Sequence, residues 1–138
     1  MARRRGLSSA GTLVLDCQGF SRYLEQDRRV MSIVRSALDR GANRTISGVT
    51  LVESMHHGTT PGRWNHVLSQ LDIQPMNVAW FREAADLLAK HHADGRKHAI
   101  DAMVAVTALH QPGPVIMLTA DVDDMSRLCG GRVTLVEV

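Results

Sequence analysis

Val115-Ile116-Met117-Leu118-Thr119-Ala120-Asp121 sets the architecture: an unbroken apolar run, two small residues, then an acid. A strand that is apolar at every position, rather than at alternate ones, is covered on both faces. That is the mark of a parallel sheet held between helical layers. Thr12-Leu13-Val14-Leu15-Asp16 repeats the pattern near the other end of the chain.

Between these two strands, the apolar spacing changes from short runs to helical periodicity and back. Helices are expected around Phe20–Glu25, from Arg28 to Arg40 with Gly41 as its stop, and from Thr50 to about His57. Others are expected around Trp64–Leu71 after the break at Pro61-Gly62, and over Val78–His91. Asp94-Gly95 reads as a turn, and Ala99–His110 as a strongly apolar, central helix ended by Pro112-Gly113-Pro114. A further short helix covers Asp121–Leu128, followed by a turn at Gly130-Gly131. Thr45–Val49, Ile73–Pro75 and Val133–Val136 supply the remaining strands. Strands alternating with helices predict a three-layer α/β/α domain with a central, mostly parallel sheet over residues 11–138. Residues 1–10, basic and serine-bearing, read as a disordered tail.

The 138 residues suffice for one core. With 44% hydrophobic and 22% charged residues, the chain is an ordinary globular protein. No apolar run reaches the ~18–20 residues of a membrane span, and Arg3-Arg4-Arg5 is not followed by a signal-peptide core. The two cysteines, Cys17 and Cys129, have no metal-type spacing, so a cytoplasmic protein with reduced thiols is expected. Basic charge is carried almost wholly by arginine, which suits phosphate but also follows from high-GC codon usage.

The acids carry the chemistry. Asp16 and Asp121 follow the ends of two parallel strands, Glu53 lies in the helix after the second strand, and Asp101 lies early in the central helix. In an open parallel sheet the carboxyl ends of the strands form the edge where sites are built. Each acid also has a structural explanation. Asp16 and Asp121 suit N-caps, Thr50-Leu51-Val52-Glu53 matches a capping box, and Asp101 suits the positive end of a helix dipole. Four such caps on one edge would be a coincidence. Two carboxylates about 4 Å apart repel by roughly 4 kcal/mol at an effective dielectric near 20. A gathered cluster therefore needs raised pKa values or a cation. Oxygen ligands select Mg²⁺ or Mn²⁺, and such an ion with no nucleophilic Ser or Cys points to phosphodiester hydrolysis by water.

At four blocks the chain resembles PIN-domain nucleases, in particular the VapC-type toxins of toxin–antitoxin pairs. They are Leu13–Asp16, Ser47–Glu53, His98–Ala105 and Leu118–Met125, and together they span about residues 12 to 136. The resemblance implies a Mg²⁺- or Mn²⁺-dependent ribonuclease, usually a homodimer restrained by an antitoxin protein. Carried over, Asp16, Glu53, Asp101 and Asp121 form the catalytic cluster, and Asp16, Asp101, Asp121 and Asp124 hold the metal. Thr119 supports the site. Gln18 stands where such nucleases often place a small hydroxyl residue, and its amide can bond a carboxylate or a metal-bound water.

Other residues attract attention. The seven histidines suggest zinc, but His56-His57 and His91-His92 diverge on a helix and no tetrahedral set completes them. His98, ahead of Asp101, is placed at the mouth of the site, where it can touch RNA phosphate. Trp64 and Trp80 suit packing better than base stacking, the methionines fill the core, and Cys17 is a small buried residue. The dimer surface is sought near Val30–Leu38 or Trp64–Leu71. Two other functions compete with the nuclease: a non-catalytic PIN-fold module binding RNA or protein, and a phosphoryl-transfer enzyme with Asp16 as nucleophile. Asp16-Cys17-Gln18-Gly19 lacks the second Asp the latter chemistry favours.

Overall fold

The structure is a computed structural model that describes residues 10–54 and 59–138. The expected basic tail, apart from Ala10, and the His56-His57 pair lie outside these residues. The described elements run in the order β1 (Thr12–Leu15), α1 (Cys17–Leu24), α2 (Arg28–Asp39), β2 (Asn43–Ser47), α3 (Gly48–Glu53), α4 (Pro61–Ser69), β3 (Asp72–Gln74), α5 (Val78–Lys90), α6 (Gly95–Leu109), β4 (Val115–Thr119), α7 (Val122–Cys129) and β5 (Thr134–Glu137).

The strands form one sheet in the order β3-β2-β1-β4-β5, and every pairing is parallel. β1 lies at its centre, with Val14 opposite Thr45 of β2 and Leu15 opposite Leu118 of β4. Side chains alternate across the pleat. Leu13, Leu15 and Leu118 join Phe20, Val30, Val34 and Val67 from α1, α2 and α4 in one buried layer. Val14, Val115 and Met117 join Val104, Ala105, Met125 and Leu128 from α6 and α7 in the other. α5 lies outside α6, packed through Ala84, Ala102 and Val106. This is the three-layer α/β/α arrangement with a parallel sheet expected from the strand pattern.

Several boundaries move, each through a cap. α1 starts at Cys17 because the Asp16 side chain accepts the Gly19 N–H. β2 occupies Asn43–Ser47, and Gly48-Val49 belong to α3, capped by Ser47. Pro61 opens α4 at its first position instead of breaking the chain. Asp94 is the N-cap of α6, so this helix begins at Gly95 rather than Ala99. On the helices expected to carry a dimer contact, Val30, Val34, Ala37, Val67 and Leu71 are buried in the core, while Leu38 is exposed. Trp64 packs edge-on against Phe20 at 5.4 Å. Among the described residues no helix is long and apolar enough to cross a membrane.

Candidate metal centre

Strand order reverses about β1: the chain moves outward through β2 and β3, then returns to β4 on the other side. The crevice between the carboxyl ends of β1 and β4 is the switch point where ligands bind in open α/β sheets. Asp16 leaves β1 there and Thr119 ends β4 there.

Asp16 is only 6% exposed. One carboxylate oxygen accepts the Gly19 N–H at 2.9 Å. Burial raises its pKa above the ordinary value, partly opposed by the Gly19 and Gln18 amides and the Thr119 hydroxyl, and reinforced by the charge of Asp121. Thr119 is fully buried and its hydroxyl also accepts the Asp121 N–H at 3.0 Å. Gln18 is half-buried in the first turn of α1 and serves Asp16 through its backbone.

The structural explanations for the other acids fall away. Glu53 ends α3 and forms no capping box, since Ser47 caps that helix. Asp101 lies well past the first turn of α6, where the dipole has little hold. Asp121 occupies the N-cap position of α7 but makes no side-chain cap bond. The carboxyl of Glu53 is pushed up by partial burial and by the charges of Asp101, Asp16 and Asp121, against a hydrogen bond from the Cys17 thiol. That of Asp101 is pushed up by burial, then by Asp121 and Asp124, against His98. Carboxylates from β1, α3, α6 and the β4–α7 junction are thus brought within one another's electrostatic reach.

His98 is expected at the mouth of the site, but its contacts with the acids, and those of Cys17, lie beyond what the spacing predicts. Cys17 is not an inert filler: its thiol donates to Glu53, and burial followed by the charges of Glu53 and Asp16 pushes its pKa up to about 11. His98 faces the acids rather than open solvent, with Nδ1 3.5 Å from Asp101 Oδ2 and 3.9 Å from Asp124 Oδ2. Among the described residues, His98, Asp101 and Asp124 are the one set of three whose ligand atoms all lie within 4.8 Å of each other. Asp16, Glu53 and Asp121 do not belong to this set, though the charge of Asp121 acts on Asp101 and that of Asp101 on Glu53. The Asp101–His98 spacing of three residues, visible in sequence, was the only available hint. Carboxylate oxygens with one imidazole nitrogen suit a divalent cation.

A cleft of about 400 Å³ opens elsewhere, at the amino ends of β2 and β3, lined by Asn43, Arg44, Gln70 and Asp72 among others. It holds none of the acids discussed above. Trp80 stacks on His110 at 4.6 Å, and His110 in turn meets Glu83 at 2.9 Å, so this aromatic has an internal partner.

No family model matches the chain, and no curated protein matches it. Solved structures do. The crystal structure of VapBC2 from Rickettsia felis, bound to a DNA fragment from its promoter, matches with a TM-score of 0.68 and 13% identity over 92% of this chain and 98% of that one. FitAcB from Neisseria gonorrhoeae matches with a TM-score of 0.56 and 18% identity over 90% and 96%. At such identities the likeness is one of fold, and that fold is the PIN-like α/β/α domain.

Proposed function

We propose that this protein is a Mg²⁺- or Mn²⁺-dependent endoribonuclease that hydrolyses RNA phosphodiester bonds, the toxin of a toxin–antitoxin pair. The observation that carries the proposal is the gathering of Asp16, Glu53, Asp101 and Asp121 at the β1/β4 switch point, with three of them held above their ordinary pKa. Charge of one sign concentrated there is costly unless a cation or a reaction uses it. The two solved neighbours are toxin–antitoxin complexes of PIN-domain proteins, which supports the biological half of the reading.

In this scheme Asp16, Asp101, Asp121 and Asp124 would hold the ion. When bound, the ion supplies Lewis acidity at a phosphoryl oxygen and neutralises charge developing there. Thr119 fixes the Asp16 carboxylate. Glu53, with its raised pKa, takes a proton from water as the water oxygen bonds to phosphorus. One phosphorus–oxygen ester bond breaks, and the departing oxygen takes a proton from solvent. An antitoxin and a second copy of the chain are the expected partners, with exposed Val52, Val78 and Phe81 as candidate contacts.

Purified protein should cut single-stranded RNA with Mn²⁺ or Mg²⁺, and EDTA or Asp16→Asn should abolish cutting. Cleavage that survives both treatments sinks the assignment. Calorimetry that shows no metal uptake by the folded protein would favour the non-catalytic module.

A further inference from the structure

We propose that His98 is itself a metal ligand, so that this chain builds a nitrogen-containing centre with Asp101 and Asp124 and prefers a transition ion such as Mn²⁺ over Mg²⁺. The inference rests on the nuclease reading for its setting but on its own geometry for its content. His98 and Asp101 stand three residues apart on one face of α6, and Asp124 reaches them from α7. Imidazole Nδ1 lies between two carboxylate oxygens, at 3.5 and 3.9 Å. The Asp101 contact is a long hydrogen bond, well beyond the roughly 2.7–2.9 Å of a charge-assisted one, and the Asp124 contact is longer still. Donors about 2.1 Å from a shared ion stand roughly 3.0 Å apart in an octahedron and 3.4 Å in a tetrahedron. The observed spacings are a little wider, and small side-chain rotations close the difference.

The next layer supports the same arrangement. Arg127 donates to the His91 carbonyl at 3.0 Å and stands 3.9 Å from Asp124 Oδ1. Arg127 stands on the Oδ1 side of Asp124, while Oδ2 is the oxygen nearer His98. Nitrogen ligation has a chemical consequence. Mg²⁺ is held by oxygen and gains little from imidazole, whereas first-row transition ions accept it readily.

The test uses the full chain without a tag, titrated with Mn²⁺ and Mg²⁺ by calorimetry, with pulsed EPR of the Mn²⁺ form. Nitrogen hyperfine modulation should be present in the wild type and absent in His98→Ala. The same substitution should weaken Mn²⁺ at least tenfold while changing Mg²⁺ less than about threefold. Bound Mn²⁺ without nitrogen coupling in the wild type overturns the proposal and leaves an all-carboxylate nuclease site standing. That spectrum needs no variant to fold. Equal Mn²⁺ affinity in His98→Ala also overturns it. Nitrogen-coupled Mn²⁺ in a protein that cuts no RNA supports the proposal and removes the nuclease reading instead. No Mn²⁺ binding at millimolar concentration overturns both.

Discussion

The Thr119 hydroxyl donates to the Asp16 carboxylate while accepting the Asp121 N–H at 3.0 Å, so one buried side chain ties the end of β1 to the start of α7. Thr119→Val keeps the shape and deletes both bonds. Stability should fall by about 1–3 kcal/mol in urea unfolding, with RNA cleavage reduced more than tenfold. Thr119→Ser should recover most of both. Equal behaviour of Val and Ser would show that the hydroxyl has no role.

Asp16→Asn should separate stability from function. Asn caps a helix as well as Asp does, and it removes a charge that burial and Asp121 both disfavour. The metal-free variant is expected to melt higher than the wild type, by roughly 4 °C for each 1 kcal/mol gained, while losing cleavage altogether. Calorimetric melting in EDTA decides this, and a lower melting point would contradict the account of Asp16 as a strained charge.

The raised carboxyls also set a pH dependence. Ordinary values are 3.8 for Asp and 4.5 for Glu, and Asp16, Glu53 and Asp101 lie above them when folded. The folded state therefore holds protons that the unfolded chain has released. Their contribution to stability is full below the ordinary values and is lost as pH rises through the raised ones. In EDTA, this part of the melting temperature should decline from about pH 4 toward neutrality, and less so in Asp16→Asn. On the proposed reading the deprotonated groups bind Mn²⁺, which should then stabilise increasingly as pH rises. A melting temperature at pH 7 indifferent to Mn²⁺ would remove the metal from the argument.

Gly19 donates to Asp16 and sits where α1 presses on β4: a Cβ there would lie 2.8 Å from the Leu118 carbonyl oxygen. Gly19→Ala must push the helix off the sheet, costing about 1–3 kcal/mol. Cleavage should drop further than stability alone explains, because the Asp16 cap moves with the helix.

Cys17 offers a chemical readout of the acid cluster. With its pKa at about 11 it is almost wholly protonated at pH 8, so iodoacetamide should modify it far more slowly than a free thiol. Glu53→Gln removes the second largest cause of that shift and should speed alkylation several-fold in the native protein. An unchanged rate would mean that the thiol does not sense Glu53.

The layers and the sheet could be read from residues because continuous apolar strands have few alternatives. Val115–Leu118 and Thr12–Leu15 announce burial on both faces, and the acids after them announce the working edge. Boundaries were harder, since Asp16, Ser47, Thr60 and Asp94 start helices through side-chain bonds that leave no trace in apolar periodicity. The polar first turn of α6 hid in this way, and with it the true depth of Asp101. His98 facing Asp124 depends on how α6 crosses α7, and the Cys17–Glu53 bond on how α3 leaves the sheet. Neither spacing exists along the chain.

The neighbouring of β1 and β4 has a consequence in time. Strands paired at the centre of the sheet are separated by most of the polypeptide; Thr12 already bonds Pro112, a hundred residues on. Loop closure over that span comes late in folding, so Asp16 meets Thr119 and Asp121 only once β4 has inserted beside β1. A lesion that keeps β4 out of the sheet therefore leaves the Asp16 carboxylate without the Thr119 hydroxyl that holds it.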